Sequence, residues 1–70
     1  MAIINFQLKE EFIPLIQLLK YTGIAESGAH ASEMVIDGQV YCNGEIETRK
    51  RYKVKSGDVI VFENETIEVK

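Results

Sequence analysis

Five of the chain's eight basic residues fall in one octapeptide, TRKRYKVK at 48–55, which contains no acidic residue. The whole 70-residue chain has a formal net charge of −3, so the +5 of this octapeptide leaves −8 on the other 62 residues. That polarity matters more than the net value, because salt screens charges beyond roughly 8 Å and a ligand responds to the local field. If the run is extended, a period of two puts Arg49, Arg51, Lys53 and Lys55 on one face and Lys50, Tyr52 and Val54 on the other. Cations on one face then recur about every 6.6 Å, a spacing that can follow a phosphate backbone. Arginine forks onto phosphate, and the Tyr52 ring can stack on a base. The same residues also suit an edge strand guarded by lysine against aggregation. Edge protection needs only one or two charges, however, and a crowd of like charges repels itself unless a ligand uses it.

A second place for anion chemistry is SGAHA, residues 27–31. A helix N-terminus offers free N–H groups and the positive end of its dipole, and Gly28 lets a phosphate approach closely. Ser27 serves equally well as a plain N-cap. His30 is within reach of the same ligand, and Lys20 near the end of the preceding helix either flanks this face or complements its own helix dipole.

Other chemistry finds little to work with. The chain has no serine, histidine and aspartate constellation, no glycine-rich phosphate loop followed by lysine, and no carboxylate pair in an evident pocket; Glu45 and Glu47 balance the basic run beside them. One cysteine, Cys42, and one histidine cannot close a zinc site, so neither metal nor cofactor is expected, and no small-molecule substrate. Cys42 stands at an apolar strand position, which suits a buried structural thiol. A lone cysteine fits a reducing compartment. The longest uncharged stretch near the N-terminus, 12–19, is interrupted by Pro14 and Gln17 and is too short to span a bilayer, so the expected location is cytoplasmic with no membrane partner.

The elements that must position these residues can be read in order. Seventy residues, 46% apolar and 27% charged, suit one folded domain over 1–70. AIINFQL suggests a short strand over Ile3–Gln7. From Phe12 the pattern turns helical: Pro14 suits a first turn, Leu15, Leu18, Leu19 and Thr22 share one face, and Gly23 ends the helix. Ser27 opens a second helix with Ala31, Met34 and Val35 on one face, stopped by Gly38. QVYCNGEIE reads as a hairpin around Asn43–Gly44, with Val40 and Cys42 facing one way and Tyr41 the other. Ser56–Gly57–Asp58 and Asn64–Glu65 mark turns around the strand VIVFE, and TIEVK closes the fold with Ile67 and Val69 on one face.

This order resembles the S-four RNA-binding domain family, whose pattern runs through a helix, an S-R-x-x-A helix, G-x-V-x-V-N-G, a basic segment and V-x-x-G-D-x-I. The matching positions are Ser27, Ala31, Gly38, Val40, Asn43, Gly44, Val54, Gly57, Asp58 and Ile60, which span most of the chain. SGAHA together with ETRKR looks like the small stand-alone bacterial branch of that family, of the YbcJ and YaaA type. The resemblance implies an α+β fold in which two short helices, the αL motif, pack on a small bent antiparallel sheet. It implies a non-catalytic module that binds structured RNA, with ribosomal or transfer RNA and ribosomal particles among the expected partners. Carried over by position, the surface would comprise Ser27, Gly28, Ala31, Arg49, Lys50, Arg51 and Lys53, with Lys20, His30, Tyr52 and Lys55 as further candidates. Gly28 stands where the family pattern has arginine, so affinity must lean on the basic run, with Thr48–Arg51 as an exposed contact loop and Val54 turned inward. Five phosphate contacts on a single strand would give a salt slope of about −3.5. The alternative is a protein-interaction module whose basic face docks an acidic partner such as a ribosome assembly factor.

Overall fold

The computed structural model describes residues 2–70. The elements run β1 (Ala2–Phe6), β2 (Ile13–Pro14), α1 (Leu15–Tyr21), α2 (Gly28–Ile36), β3 (Val40–Cys42), β4 (Glu45–Ile46), β5 (Lys53–Val54), β6 (Val59–Phe62) and β7 (Glu65–Val69). The α+β class and the two-helix unit follow the sequence reading.

Helix α1 forms because Leu15, Leu18 and Leu19 return to one side every three or four residues, and all three are fully buried. Each contributes about 1.5–3 kcal/mol by leaving water. Pro14 does not enter the first turn as expected. It is the N-cap, with ψ 141°, and this extended backbone lets the Leu15 N–H donate to the Tyr52 carbonyl at 2.9 Å. At the other end the Thr22 hydroxyl donates to the Leu18 carbonyl at 2.9 Å, and Gly23, at φ +84°, turns the chain where a side chain would be strained.

Helix α2 begins on the expected cap. The Ser27 Oγ accepts from the His30 N–H at 3.1 Å, while the His30 Nδ1 accepts from the Glu26 N–H at 3.1 Å. Two backbone donors around this helix start are thus satisfied, in a variant of the capping box in which His30 stands in the place of glutamate and reaches one residue further back, to Glu26 instead of the cap residue. Ala31, Met34 and Val35 face inward as read.

The main sheet has the order β1-β7-β6-β3-β4. Asn43 and Gly44, at φ +53° and +89°, give the β3–β4 hairpin the two positive φ values of a type I′ turn. The β6–β7 turn falls at 63–64, one residue before the expected Asn64–Glu65: Phe62 pairs with Glu65, and Glu63 has φ +52°. Register decides this, because Ile60 must lie opposite Ile67 for both to be buried, and a one-residue slip would expose them. The sheet is not antiparallel throughout. β1, within a residue of the expected strand, pairs parallel to β7 with Ile4 opposite Ile67. The chain reaches β7 from β1 only after both helices and the five intervening strands, the kind of long crossover that a parallel neighbour requires.

The core lies between the helices and one face of this sheet, where Val40, Cys42, Ile60, Ile67 and Val69 meet the helix residues. β2 and β5 make a separate two-stranded ladder, Ile13 opposite Val54 and Pro14 opposite Lys53, which ties the start of α1 to the basic run. No helix among the described residues is long and apolar enough to cross a membrane.

Candidate nucleic-acid interface

The basic run is not one continuous strand. After β4 the chain bends, with the Tyr52 N–H donating to the Arg49 carbonyl at 3.2 Å, and becomes extended at Lys53–Val54. Val54 is fully buried opposite Ile13, which fixes the side on which its neighbours stand. The bend still gathers the alternate cations. Arg49, Arg51, Lys53 and Lys55 line one open cleft of about 590 Å³ together with Tyr52 and Asp58. Lys50, at the bend, is exposed and stands outside that lining.

Two carboxylates organise the cleft. Asp58 accepts from the Lys55 N–H at 2.9 Å and the Tyr52 hydroxyl at 3.3 Å through Oδ2, and from the Asn43 amide at 3.2 Å through Oδ1. Asn43 in turn accepts from the Val59 N–H at 2.9 Å. Asp58 thereby stitches the β3–β4 turn, the turn before β6 and the back of the cleft into one unit. Glu47 takes Arg49: its Oε2 accepts from Nε at 2.8 Å and from the Arg49 N–H at 3.0 Å, and its Oε1 from Nη2 at 3.0 Å. This bidentate bond holds the Glu47 carboxyl below the usual carboxylate range.

The Tyr52 ring is half-buried under the Arg49 guanidinium, which lies 5.3 Å from the ring centroid. The adjacent Cys42 thiol and burial push its hydroxyl above the ordinary phenol range, so it stays a hydrogen-bond donor at neutral pH. Burial also raises the Cys42 thiol, in keeping with the structural role expected from its strand position.

The helix-start candidates form a different group. Ser27, Gly28 and His30 are exposed at the beginning of α2, and the hydrogen bonds of Ser27 and His30 are spent on capping. A side chain at Gly28 would meet no heavy atom within 4 Å. Ala31 belongs to the core: it is fully buried, so its side chain packs the helix and presents nothing to a ligand. Lys20 is exposed in the last turn of α1. Among the described residues, no hydrogen bond, ion pair or cleft lining joins Lys20, Ser27, Gly28, His30 or Ala31 to the basic run.

The sequence reading did not single out Phe12, Glu47 and Asp58 as parts of this surface. The Lys53 Nζ lies 5.1 Å from the Phe12 ring centroid, a contact created by the β2–β5 ladder. Glu47, two residues before Arg49, was visible as a charge-balancing neighbour; its bidentate geometry was not. No group of histidine, cysteine, aspartate and glutamate among the described residues is arranged to hold a metal ion. The arrangement is an open, braced, cationic surface suited to binding anions of extended shape.

Comparison with known proteins gives a consistent picture. The S4 domain family matches the chain over residues 6–70. YbcJ of Escherichia coli strain K12 is 39% identical over 61 residues, 87% of either chain. Its solution structure superimposes with a TM-score of 0.72 over 93% of this chain and 84% of YbcJ, and is described as revealing an αL motif involved in RNA-binding. A tyrosine–tRNA ligase of Nitrosospira multiformis is 33% identical over 57 residues, 81% of this chain but 14% of the ligase.

Proposed function

The chain belongs to the S4 domain family, and from that membership together with the cleft beside β5 we infer that it is a non-catalytic module that grips structured RNA by its phosphates. The observation that carries this reading is the convergence of Arg49, Arg51, Lys53 and Lys55 on one open cleft in a chain whose net charge is negative. Self-repulsion among these groups is offset when a polyanion lies across them. Arg51, Lys53 and Lys55 have no carboxylate within ion-pair distance among the described residues, so they carry most of the attraction. Arg49 contributes through a charge already shared with Glu47. Lys50 reaches a phosphate from outside the cleft, and the exposed start of α2 adds N-terminal dipole and backbone donors to a folded ligand broad enough to touch both.

The relation to YbcJ, whose αL motif is involved in RNA-binding, supports RNA as the polyanion. The relation to a tRNA ligase makes folded, tRNA-like or ribosomal RNA hairpins the first ligands to try. An open cationic cleft reads shape and backbone rather than base sequence.

Replacing Arg51, Lys53 and Lys55 together with glutamate tests the reading. The expected result is at least a tenfold loss of affinity for an RNA hairpin, and a salt slope reduced in magnitude by about 2, at about 0.7 per lost contact. Circular dichroism should be unchanged, because all three side chains are exposed. Equal affinity of the folded variant would overturn it.

A further inference from the structure

We propose that an apolar shelf adjoining the cleft, built on Phe12, holds one unpaired nucleobase of the RNA whose phosphates the cleft binds; the proposal rests on the RNA-binding reading above. The shelf is an open pocket of about 330 Å³ lined by Phe12, Pro14, Ile16, Gln17, Arg51 and Lys53. Four of these come from the β2 and α1 segment and two from the basic run.

Its position identifies the occupant. Arg51 and Lys53 line both the shelf and the cationic cleft, so the two share a wall of positive charge. A nucleotide in an unpaired stretch has matching chemistry: an apolar, stackable face a few bonds away from a phosphate. Single-stranded and looped RNA is commonly held this way, with bases stacked on aromatic side chains and the backbone tracked by cations.

Phe12 is the aromatic ring placed for the task. It is 37% exposed on the surface, and the Lys53 ammonium 5.1 Å from its centroid shows that the ring lies within reach of a group that can hold the phosphate of the stacked nucleotide. Tyr52, the ring that the sequence first suggests, is fastened by Arg49 above it and by its hydroxyl bond to Asp58. Gln17 is exposed at the rim and carries both a donor and an acceptor for a base edge. The β2–β5 ladder pairs Pro14 with Lys53 just beyond Phe12, and the Lys53 ammonium lies over the Phe12 ring in the protein without a ligand.

Two RNAs of equal stem length separate stacking from phosphate binding: a hairpin with an unpaired bulge, and a blunt, fully paired duplex. Phe12→Ala should weaken binding of the bulged hairpin by roughly fivefold to a hundredfold, the range of one lost base stack, with an unchanged salt slope. Affinity for the blunt duplex should stay the same. The chain contains no tryptophan, so Phe12→Trp provides a single tryptophan, excited selectively over the tyrosines, whose emission should be quenched by the bulged hairpin and not by the duplex. Equal weakening of both RNAs by Phe12→Ala, or no weakening of either while the cleft variant still loses affinity, would overturn the shelf and leave the cleft standing. Failure of the unaltered protein to bind either RNA would bring down both.

Discussion

Glu47 governs how much of Arg49's charge reaches a ligand. Its side chain is only 13% exposed, whereas that of Arg49 is 73% exposed, so the carboxylate is packed into the loop while the guanidinium faces solvent. The pair therefore acts as an orienting clamp more than as a source of stability, since an ion pair open to water contributes little. Because the bond to Arg49 depresses the Glu47 carboxyl, the clamp's contribution is fully present above the ordinary carboxylate value and is lost as pH falls through the lowered one. It is thus intact at neutral pH and released only in acid. Glu47→Gln keeps the size of the side chain and removes the charge. The expected outcome is RNA binding several-fold tighter at low salt, with a slope steeper by about 0.7 as Arg49 takes up a full phosphate contact. The thermal midpoint should hardly move. Titrations at a series of salt concentrations check this, and an unaltered slope would mean that Arg49 does not contact phosphate.

The elements differ in how readily the sequence discloses them. The two helices were legible because their ends carry residues with specific physical duties: Ser27 caps α2, and Gly23 and Gly38 adopt the positive φ that closes each helix. The β3–β4 hairpin was legible for the same reason, through Asn43 and Gly44. The β2–β5 ladder was not. Two residues per strand give no periodicity, and Pro14 suggests a helix start more strongly than an extended pair. The parallel setting of β1 likewise depends on where a long crossover returns. In the cleft, alternation picked out Arg49, Arg51, Lys53 and Lys55 together and set Lys50 apart, although a bend as well as a strand gathers them, and that bend brings Tyr52 into the lining, where alternation alone would not put it. Asp58 and Phe12 act across the fold, so only packing reveals their partners. The start of α2 bears its own prediction. Gly28→Arg introduces the residue of the family pattern at a position with open space and no positive φ. Arginine gains up to about 1 kcal/mol over glycine in helix propensity but loses about 0.3–1 kcal/mol to the dipole at a helix N-terminus, so stability should be nearly unchanged. RNA affinity should rise, with the slope steeper by about 0.7. If affinity and slope both stay as they were, the α2 start lies off the RNA surface.

On the scale of the whole molecule, charge and size together limit the ligand. The chain measures 26 × 25 × 22 Å, and its five clustered cations sit on a body that otherwise carries −8. At about 2.8 Å per base pair in an A-form stem, one face spans roughly eight or nine pairs of an RNA duplex. Phosphates beyond that footprint meet either solvent or an acidic surface, and within roughly 8 Å the latter repels them. This polarity confines a polyanion to one side of the protein and opposes coating by long RNA, which a uniformly basic domain of equal size would invite. Binding strength should therefore climb with hairpin stem length up to about eight base pairs and then rise only with the number of available registers. The salt slope should level off near −3, the value for about four phosphate contacts at 0.7–0.9 each. Measuring both quantities over stems from about six to about twenty base pairs tests this confinement. A slope that keeps steepening with length would show that phosphates are gathered by faces other than the cleft, and that the acidic remainder does not bound the site.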